Sequence, residues 1–281
     1  MLFFFASLYA SSIVDQINQD PSSTWKAIDY PRDVMTTARF HALLGTKVPE
    51  WQPRKMQVRN DVPETFDARE QWPNQMLPVR NQGSCGSCWA FSISETVEDR
   101  LAVKGCARGQ MSPQHLVSCD KEDYACNGGE MDIAWNWVKK NGIATEDCLP
   151  YTSGGGRVPE CPAKCKNGSE IIVTPVPEWK LLKAEEMQQE LMTHGPLSAG
   201  FTVYLDFQFY SKGVYKHKLG PKSGGHAILI IGWGVEKDTP YWLCQNSWGA
   251  SWGMQGHFKI LRGENHCGIE EMVTVGYVQC L

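Results

Sequence analysis

Apolar residues in the first half of the chain recur every three or four positions, which is the spacing of one helix face. Four of them follow the stretch QGSCGSC at this spacing: Ala90, Ile93, Val97 and Leu101. Ser87 suits a helix N-cap and Gly105 suits a helix C-terminus, so the pattern predicts a helix with Cys88 in its first turn. The stretches SPQHLVSCD and GGEMDIAWNWVKKNG predict two further helices.

Short apolar or alternating runs separated by glycine dominate the second half, from Leu197 onward. These runs are rich in β-branched and aromatic residues and predict strands: LSAGFTVY, GHAILIIGWGV, TPYWLCQNSWG and GHFKILRG. A helix-rich part followed by a strand-rich part predicts an α+β protein with two lobes, at roughly residues 80–165 and 166–281. Because clefts between lobes are favoured ligand sites, we expect the function to reside there.

The N-terminal residues have the pattern of a processed secretory protein. Residues 1–12, MLFFFASLYASS, form an apolar run that ends in small residues, as in a signal peptide, and the run is too short to span a bilayer. Residues 13–60 are polar and mixed, which is typical either of a flexible extension or of a removable pro-segment. Residues 61–281 are then the mature domain. After processing we expect no membrane contact, because no other apolar run approaches membrane-spanning length.

Charge and cysteine content exclude several classes of function. The net charge of −4 does not favour binding to nucleic acid. Eleven cysteines with a single C-x-x-C pair are too scattered for a typical metal site, and they favour disulfides formed in an oxidising compartment. Because eleven is an odd number, at least one thiol remains free.

The paired cysteines Cys85 and Cys88 allow four interpretations. A redox pair belongs in a βαβ unit, which the pattern does not predict, and a zinc site needs two more ligands at matching spacing. In the third interpretation both cysteines form disulfides and are merely buried. In the fourth, Cys88 is a nucleophile, which requires a histidine as base and a third group to orient it.

Two downstream motifs supply the groups that a nucleophilic cysteine requires. His226 in SGGHAI begins one apolar run, and Asn246 in QNSWG ends another. Taken alone, His226 is more simply interpreted as a core histidine. A C-G-S-C-W motif followed roughly 130–150 residues later by His and Asn is the signature of a peptidase family.

The chain resembles the papain family (clan CA) of cysteine peptidases, and within it the cathepsin B group, from about Ile13 to Val278. The anchoring motifs occur in family order: FDAREQWP, QGSCGSCWAF, CNGG, GGHAI, GWGVE, PYWL before QNSWG, and FKILRG before HCGIE. The resemblance implies a papain-like fold, in which a helical N-terminal lobe and an antiparallel β-barrel-like C-terminal lobe enclose the active-site cleft. It implies no cofactor and no metal.

The resemblance also implies roles in peptide-bond hydrolysis. Cys88 is the nucleophile, His226 is the base and then the acid, and Asn246 orients the histidine. Gln82 is an oxyanion-hole donor together with the backbone N–H of Cys88. Trp248 shields the bond between Asn246 and His226. Three disulfides are implied: Cys85–Cys126, Cys119–Cys161 and Cys148–Cys165. Four cysteines have no assigned partner: Cys106, Cys244, Cys267 and Cys280.

The substrate-binding residues implied by the resemblance favour an apolar side chain at P2, the second residue before the cleaved bond. The base of the S2 pocket falls on Met272, where the cathepsin B group has glutamate, and Met131 and Ala227 form other walls. A buried arginine would lack a countercharge there. Simple core filling is the alternative for both methionines, and a shift of one residue would place Glu271 in the pocket and reverse the preference.

Three glycines complete the predicted binding edge. Gly128 and Gly129 fit an Asn-Gly turn, and by the resemblance they bind the substrate backbone as an added strand. Gly225 is a further substrate-binding position implied by the resemblance.

One family feature is missing from the sequence. The cathepsin B group has an occluding loop whose two histidines hold a substrate's C-terminal carboxylate, which makes its members dipeptidyl carboxypeptidases. Only LPYTSGGGRVPE separates Cys148 from Cys161, and it contains no histidine. We therefore expect the loop to be largely deleted, the cleft to be open at both ends and the protein to be an endopeptidase. The alternatives are a dipeptidyl carboxypeptidase and a non-catalytic peptide-binding homologue.

The remaining expectations concern processing and partners. Residues around Trp25 resemble a short cathepsin B type of propeptide, Phe40–Thr46 should lie through the cleft over Cys88, and cleavage near residues 56–61 should release this segment. Expected partners are protein and peptide substrates, the propeptide as inhibitor and cystatin-like inhibitors. We expect a monomer of the secretory pathway, in a lysosome-like vacuole or secreted. Asn167 lies in a glycosylation motif, NGS.

Overall fold

The computed structural model describes residues 13–56 and 61–281. The predicted signal peptide, residues 1–12, lies outside the described residues, and so do residues 57–60 of the expected cleavage interval. The described part is an α+β structure, as the order of the two sequence patterns predicts.

Seven helices lie in the described residues: α1 at 13–19, α2 at Thr37–Leu43, α3 at Ala68–Gln71, α4 at Cys88–Val103, α5 at Pro113–Cys119, α6 at Met131–Asn141 and α7 at Ala184–His194. The three predicted helices are α4, α5 and α6. Gly105 follows α4 with φ of +84°, a conformation that glycine adopts without strain. Ser87 takes the N-cap position of α4, but the expected capping is wrong, because its hydroxyl hydrogen-bonds with Tyr151 and not with the helix amides.

Nine strands form one sheet in the described residues: β1 at Trp25–Ala27, β2 at Phe66–Asp67, β3 at Glu178–Leu181, β4 at Leu197–Tyr204, β5 at Tyr210–Tyr215, β6 at Lys222–Glu236, β7 at Thr239–Gln245, β8 at His257–Leu261 and β9 at Met272–Tyr277. Their order is β1-β5-β8-β7-β6-β4-β9-β3, with β2 on β6. The sheet does not close into the expected barrel, since its end strands β1 and β3 do not pair, and β5 and β8 are parallel.

The two largest of the five apolar clusters in the described residues form the cores around these elements. The larger packs on the sheet and includes Phe201, Phe207 and Phe258. The smaller packs α4 against α5 and α6, with Ile93 and Trp135 fully buried. Helix α4 belongs to the smaller core and also contacts strand β6 through Ser92, and the lobes and their limits stay a prediction.

Four disulfides join distant parts of the chain: Cys85–Cys126, Cys119–Cys161, Cys148–Cys165 and Cys106–Cys280. The first three are the pairings that the resemblance implies. The fourth ties the end of α4 to the chain beyond β9 across 174 residues, a separation that no sequence motif indicates. The free cysteines of the described chain, Cys88, Cys244 and Cys267, are all buried.

The predicted pro-segment is an integral part of this fold. Strand β1 extends the sheet by pairing with β5. Trp25 is 1% exposed, packs edge-on against Tyr215 at 5.1 Å and donates its ring N–H to the carbonyl of Lys216. Burial of a tryptophan is among the largest single apolar contributions to docking, so this residue anchors the segment to the sheet.

Candidate active site

The N-terminus of α4 and strand β6 bring Cys88 and His226 to the same point. Cys88 is the first residue of α4, and His226 lies on β6; both are fully buried. One turn into the helix, the Ser92 hydroxyl donates to the carbonyl of Ile228 at 2.8 Å, which fastens α4 to β6 two residues beyond the histidine. The helix N-terminus favours negative charge, so a thiolate at Cys88 is electrostatically supported.

Strand register places Asn246 beside the histidine. Leu229 of β6 pairs with Gln245 of β7, so the chain beyond β7 runs back along His226. The Nε2 atom of His226 is 2.7 Å from Oδ1 of Asn246, which leaves Nδ1 for Cys88. The Trp248 ring lies 4.8 Å from the imidazole, centroid to centroid, and covers this pair. The asparagine thus fixes the ring plane and the tautomer.

The environment of Cys88 favours its ionised form. Burial opposes ionisation of this thiol, but the charge of the nearby His226 and the hydroxyl of Thr46, 3.0 Å from the sulphur, outweigh burial. Together they lower the pKa of Cys88 from 9.0 to about 7. A thiolate is therefore available near neutral pH, as a cysteine nucleophile requires.

Gln82 directs its amide toward the same site. Its Oε1 accepts from the hydroxyl of Ser247 at 2.8 Å, which fixes the amide orientation. Its Nε2 then donates to the carbonyl of Cys85 at 2.8 Å and to that of Leu43 at 2.9 Å. Leu43 belongs to the pro-segment, so one N–H of Gln82 is directed at a carbonyl oxygen that crosses the cleft.

The pro-segment passes directly over Cys88. The hydroxyl of Thr46 is 3.0 Å from the Cys88 sulphur, and the Thr46 amide donates to the Gly225 carbonyl at 3.2 Å. Across the cleft, Gly129 donates to the Gly45 carbonyl at 2.7 Å and accepts from the Lys47 amide at 3.1 Å. These bonds make residues 45–47 an added strand, parallel to Gly129.

Two glycines allow this close passage. A Cβ on Gly45 would lie 1.9 Å from the Gly86 carbonyl oxygen, and one on Gly128 would lie 2.5 Å from the Gly45 carbonyl oxygen. Both distances are far below van der Waals contact, so any larger residue would push the segment out of the cleft.

An apolar cluster adjoins Cys88 on one side, where the sequence predicts the S2 pocket. Met131 and Ala227 are buried against Cys88, and Met272 packs on them. A Cβ on Gly200 would lie 2.9 Å from the Met272 sulphur, 3.3 Å from the Met131 sulphur and 3.2 Å from a methyl of Val48. Both methionine sulphurs and a side chain of the pro-segment therefore meet over Gly200.

Glu271 faces a different part of the pro-segment. Its carboxylate lies 3.5 Å from the guanidinium of Arg54 and close to Gly268, where Trp51 also packs. Glu271, the neighbour of Met272, thus pairs with Arg54 of the pro-segment, outside the apolar cluster.

Sequence reasoning missed three residues that the site uses. Ser92 and Ser247 orient the helix and the glutamine amide, and Gly200 leaves room for the sulphurs of Met131 and Met272. Gly200 and Ser247 lie inside stretches that predict strands, LSAGFTVY and TPYWLCQNSWG, but a strand pattern does not reveal side-chain partners.

Within residues 13–56 and 61–281, no group of three or more His, Cys, Asp or Glu side chains is placed to hold a metal ion. In the same ranges no helix has the length and apolar character needed to cross a membrane.

Comparison with known proteins shows the family of the chain. The model of the papain family cysteine protease matches residues 62–277. Cathepsin B-like CP3 of Giardia intestinalis is 42% identical over 235 residues, covering 81% of this chain and 78% of that protein. Cathepsin B-like cysteine proteinase 4 of Caenorhabditis elegans is 37% identical over 309 residues, covering 94% of this chain and 91% of that protein.

A solved proform has the same fold. The structure of procathepsin B S9 from Trypanosoma congolense superposes with a TM-score of 0.86 at 33% identity, covering 95% of this chain and 98% of that one. The family match covers most of the chain, and both relatives and this structure are named as cathepsin B or cathepsin B-like proteins. The chain therefore belongs to the papain family of cysteine proteases, and it is a cathepsin B-like member of that family.

Proposed function

We propose that the protein is the zymogen of a cysteine endopeptidase that uses Cys88, His226 and Asn246. The Cys88 sulphur attacks the substrate carbonyl carbon, and the oxyanion is held by the Cys88 amide and Gln82. His226 then donates a proton to the leaving amine, and a thioester remains. Water, deprotonated by His226, hydrolyses the thioester and restores the thiolate. The supporting observation is the lowered pKa of Cys88 beside an imidazole bonded to Asn246 at 2.7 Å.

The proposed preference for an apolar P2 residue rests on the pocket over Gly200. Its walls are Met131, Ala227 and Met272, and the side chain of Val48 reaches it. Glu271 pairs with Arg54 and not with a group in the pocket. An arginine in such a pocket would be buried without a countercharge, whereas Leu, Val or Phe would be buried favourably.

Endopeptidase specificity is proposed because residues 149–160 lack a histidine that could hold a terminal carboxylate. This segment folds back on the chain before α4, where the Ser84 amide donates to the Gly154 carbonyl at 2.6 Å. On the side of Trp248, Phe40 of α2 is the pro-segment ring that packs edge-on against the Trp248 ring, at 5.8 Å between centroids. Release of the pro-segment would then leave this side of the cleft open.

Inhibition by the pro-segment, residues 13–60, is proposed from the same contacts. Among the described residues, four ion pairs join it to the rest of the chain: Asp20–Lys218, Lys47–Glu130, Glu50–Lys222 and Arg54–Glu271. Acidification protonates carboxylates and weakens such pairs, which favours release. The four disulfides fit the proposed secretory location in a lysosome-like vacuole or outside the cell. A monomeric state, cystatin-like inhibitors and glycosylation at Asn167 stay predictions.

The test uses the processed protein with a reductant at mildly acid pH and a peptide with a free C-terminus that carries Leu and Arg at separate positions. Fragments are identified by mass spectrometry, with a Cys88→Ala variant as control. We expect internal cuts one residue beyond Leu that are absent from the control. Stepwise loss of C-terminal dipeptides would establish the carboxypeptidase alternative. The absence of any cleavage by folded protein free of pro-segment would favour a non-catalytic binder.

A matched variant tests the pocket separately. Met272→Glu introduces a carboxylate beside Met131 and should shift cleavage toward bonds with Arg at P2, because the buried guanidinium then gains a countercharge. Unchanged preference in this variant would show that Met272 does not line the P2 pocket.

A further inference from the structure

Tyr151 contacts both segments that carry the proposed oxyanion-hole donors. Its hydroxyl donates to the backbone carbonyl of Gln82 at 2.8 Å and lies 2.9 Å from the hydroxyl of Ser87. Gln82 supplies the side-chain donor. Ser87 contributes the carbonyl half of the peptide group whose N–H belongs to Cys88, the backbone donor. One phenol therefore links the two donor segments.

The tyrosine is itself held firmly. Its backbone amide donates to Glu146 at 2.7 Å, and Glu146 pairs with Arg80 at 2.5 Å. Its ring packs edge-on against Phe91 of α4 at 4.7 Å. Burial raises the pKa of Tyr151 to about 12, so the hydroxyl keeps the proton that it donates. Because the ring is fixed, its hydroxyl holds both hydrogen-bonded segments in place.

The partner of Tyr151 on the helix side is unusual. A serine at an N-cap normally accepts a hydrogen bond from the second or third helical amide, which stabilises the helix by about 1 kcal/mol. Ser87 makes no such bond and meets the phenol instead. The serine thus connects the start of α4 to Tyr151 and does not stabilise the helix by capping it.

We propose that Tyr151 is a positioning residue for peptide-bond hydrolysis, which fixes the separation between the Gln82 amide and the Cys88 N–H. Both donors must reach the same oxygen in the transition state, and small misplacements of such donors are costly. Tyr151 acts through Gln82 and Ser87 and not on the substrate. This inference rests on the proposed function, because it assumes that the two donors serve an oxyanion.

The test compares Tyr151→Phe with the parent enzyme after processing of the full chain. The variant keeps the ring and loses the hydroxyl. We expect kcat for an amide substrate to fall by roughly 5- to 20-fold with KM changed by less than about twofold, since the defect lies in the transition state. Alkylation of Cys88 by iodoacetamide forms no oxyanion, so its rate should stay within about twofold of the parent.

A matched control separates this effect from the loss of any buried phenol. Tyr210 also donates its hydroxyl to a backbone carbonyl, that of Gly213 at 2.7 Å, and accepts from the amide of Lys259 at 3.1 Å. Tyr210→Phe should leave kcat within about twofold of the parent. Ser87→Ala should reproduce part of the Tyr151→Phe loss, and the double variant should be no worse than Tyr151→Phe, since both remove one linkage.

The outcomes are distinct. A fall in kcat with unchanged alkylation supports the proposal. An unchanged kcat overturns it, as does a parallel fall in kcat and alkylation, which would place the defect at the thiolate. If the parent enzyme itself hydrolyses no peptide, the proposed function fails first and this inference fails with it.

Discussion

The first turn of α4, called here the cysteine end, and its later turns with Glu95, Glu98 and Asp99, called the acidic end, carry buried titratable groups with opposite behaviour. At the first turn, the charge of His226 outweighs burial and lowers the pKa of Cys88 to about 7. Two and three turns later, burial dominates and raises the pKa of Glu95 to about 8 and that of Asp99 to about 7. All three side chains are at most 2% exposed. Burial acts against charge at both ends, so the number of nearby partners decides the outcome.

The acidic end has few compensating charges. Glu95 and Glu98 share the charge of Arg80, which lies 3.8 Å from Glu98 and also pairs with Glu146 at 2.5 Å. Backbone amides satisfy one oxygen each of Glu98 and Asp99, while Oε1 of Glu95 has no hydrogen bond among the described residues. Burial therefore favours the protonated form of these carboxyls, whereas the surroundings of Cys88 favour its ionised form.

The largest expected effect comes from removing the charge of His226 at the cysteine end. His226→Ala leaves Cys88 buried without its counterion, so its thiol pKa should rise from about 7 to at least the ordinary value of 9.0. Loss of the acid and base should also reduce kcat by about 10³-fold or more. The measurement is the pH dependence of Cys88 alkylation after an unrelated serine protease has removed the pro-segment. An unmoved midpoint would show that the helix N-terminus alone ionises the cysteine.

A smaller effect is expected at the acidic end. Because the folded-state pKa of Glu95 is raised from 4.5 to about 8, its contribution to stability is present below pH 4.5 and is lost as the pH rises through 8. Glu95→Gln cannot ionise, so at pH 8 it should be more stable than the parent by on the order of 3–5 kcal/mol, or roughly 10 °C in Tm. At pH 4.5 the two proteins should be nearly equal.

Thermal unfolding from pH 4.5 to 8 measures this difference. Both proteins should carry Cys88→Ala, which prevents self-digestion during heating. Superimposable Tm profiles would mean that Glu95 ionises without cost and that the two ends of α4 do not differ as described.

The smallest expected effect concerns the contribution of Thr46 to the pKa of Cys88. The Thr46 hydroxyl helps to lower the Cys88 pKa in the zymogen, so Thr46→Val should raise that pKa by several tenths of a unit, as loss of a weak hydrogen bond to a thiolate predicts. Thr46→Ser keeps the hydroxyl and should behave like the parent. Ultraviolet absorbance of the thiolate against pH reports Cys88 first, because burial raises the pKa of Cys244 and Cys267 well above 9.0. Identical titration curves for the Thr46→Val and Thr46→Ser variants would show that the Thr46 hydroxyl does not contribute and that His226 alone lowers the Cys88 pKa.

Local patterns in the sequence were sufficient to predict many of the helices and strands. Helices α4, α5 and α6 and strands β4, β6, β7 and β8 follow apolar spacing, because each buries one face or a continuous run. Helix α7 and strand β9 escaped prediction. The polar sequence AEEMQQELMTH buries only Met187, Gln188 and Leu191, and β9 forms by pairing with β3 and β4, which are far away in sequence.

The motif residues of the site were also identified from the sequence, since Cys88, His226 and Asn246 lie in distinctive local contexts. Spacing by itself did not establish that these three residues act together; that expectation came from the resemblance to a family. The sequence alone also determined that a thiol must remain free, because an odd number of cysteines cannot all pair.

Tertiary structure alone decided which side chains support the site. Register between β6 and β7 puts Asn246 on His226, and Ser247 turns the Gln82 amide. Tyr151 joins segments 64 and 69 residues away, and Cys106 finds Cys280 across 174 residues. Hydrogen bonds and disulfides of this kind depend on distances between atoms that the chain brings together only on folding, and no local pattern records them.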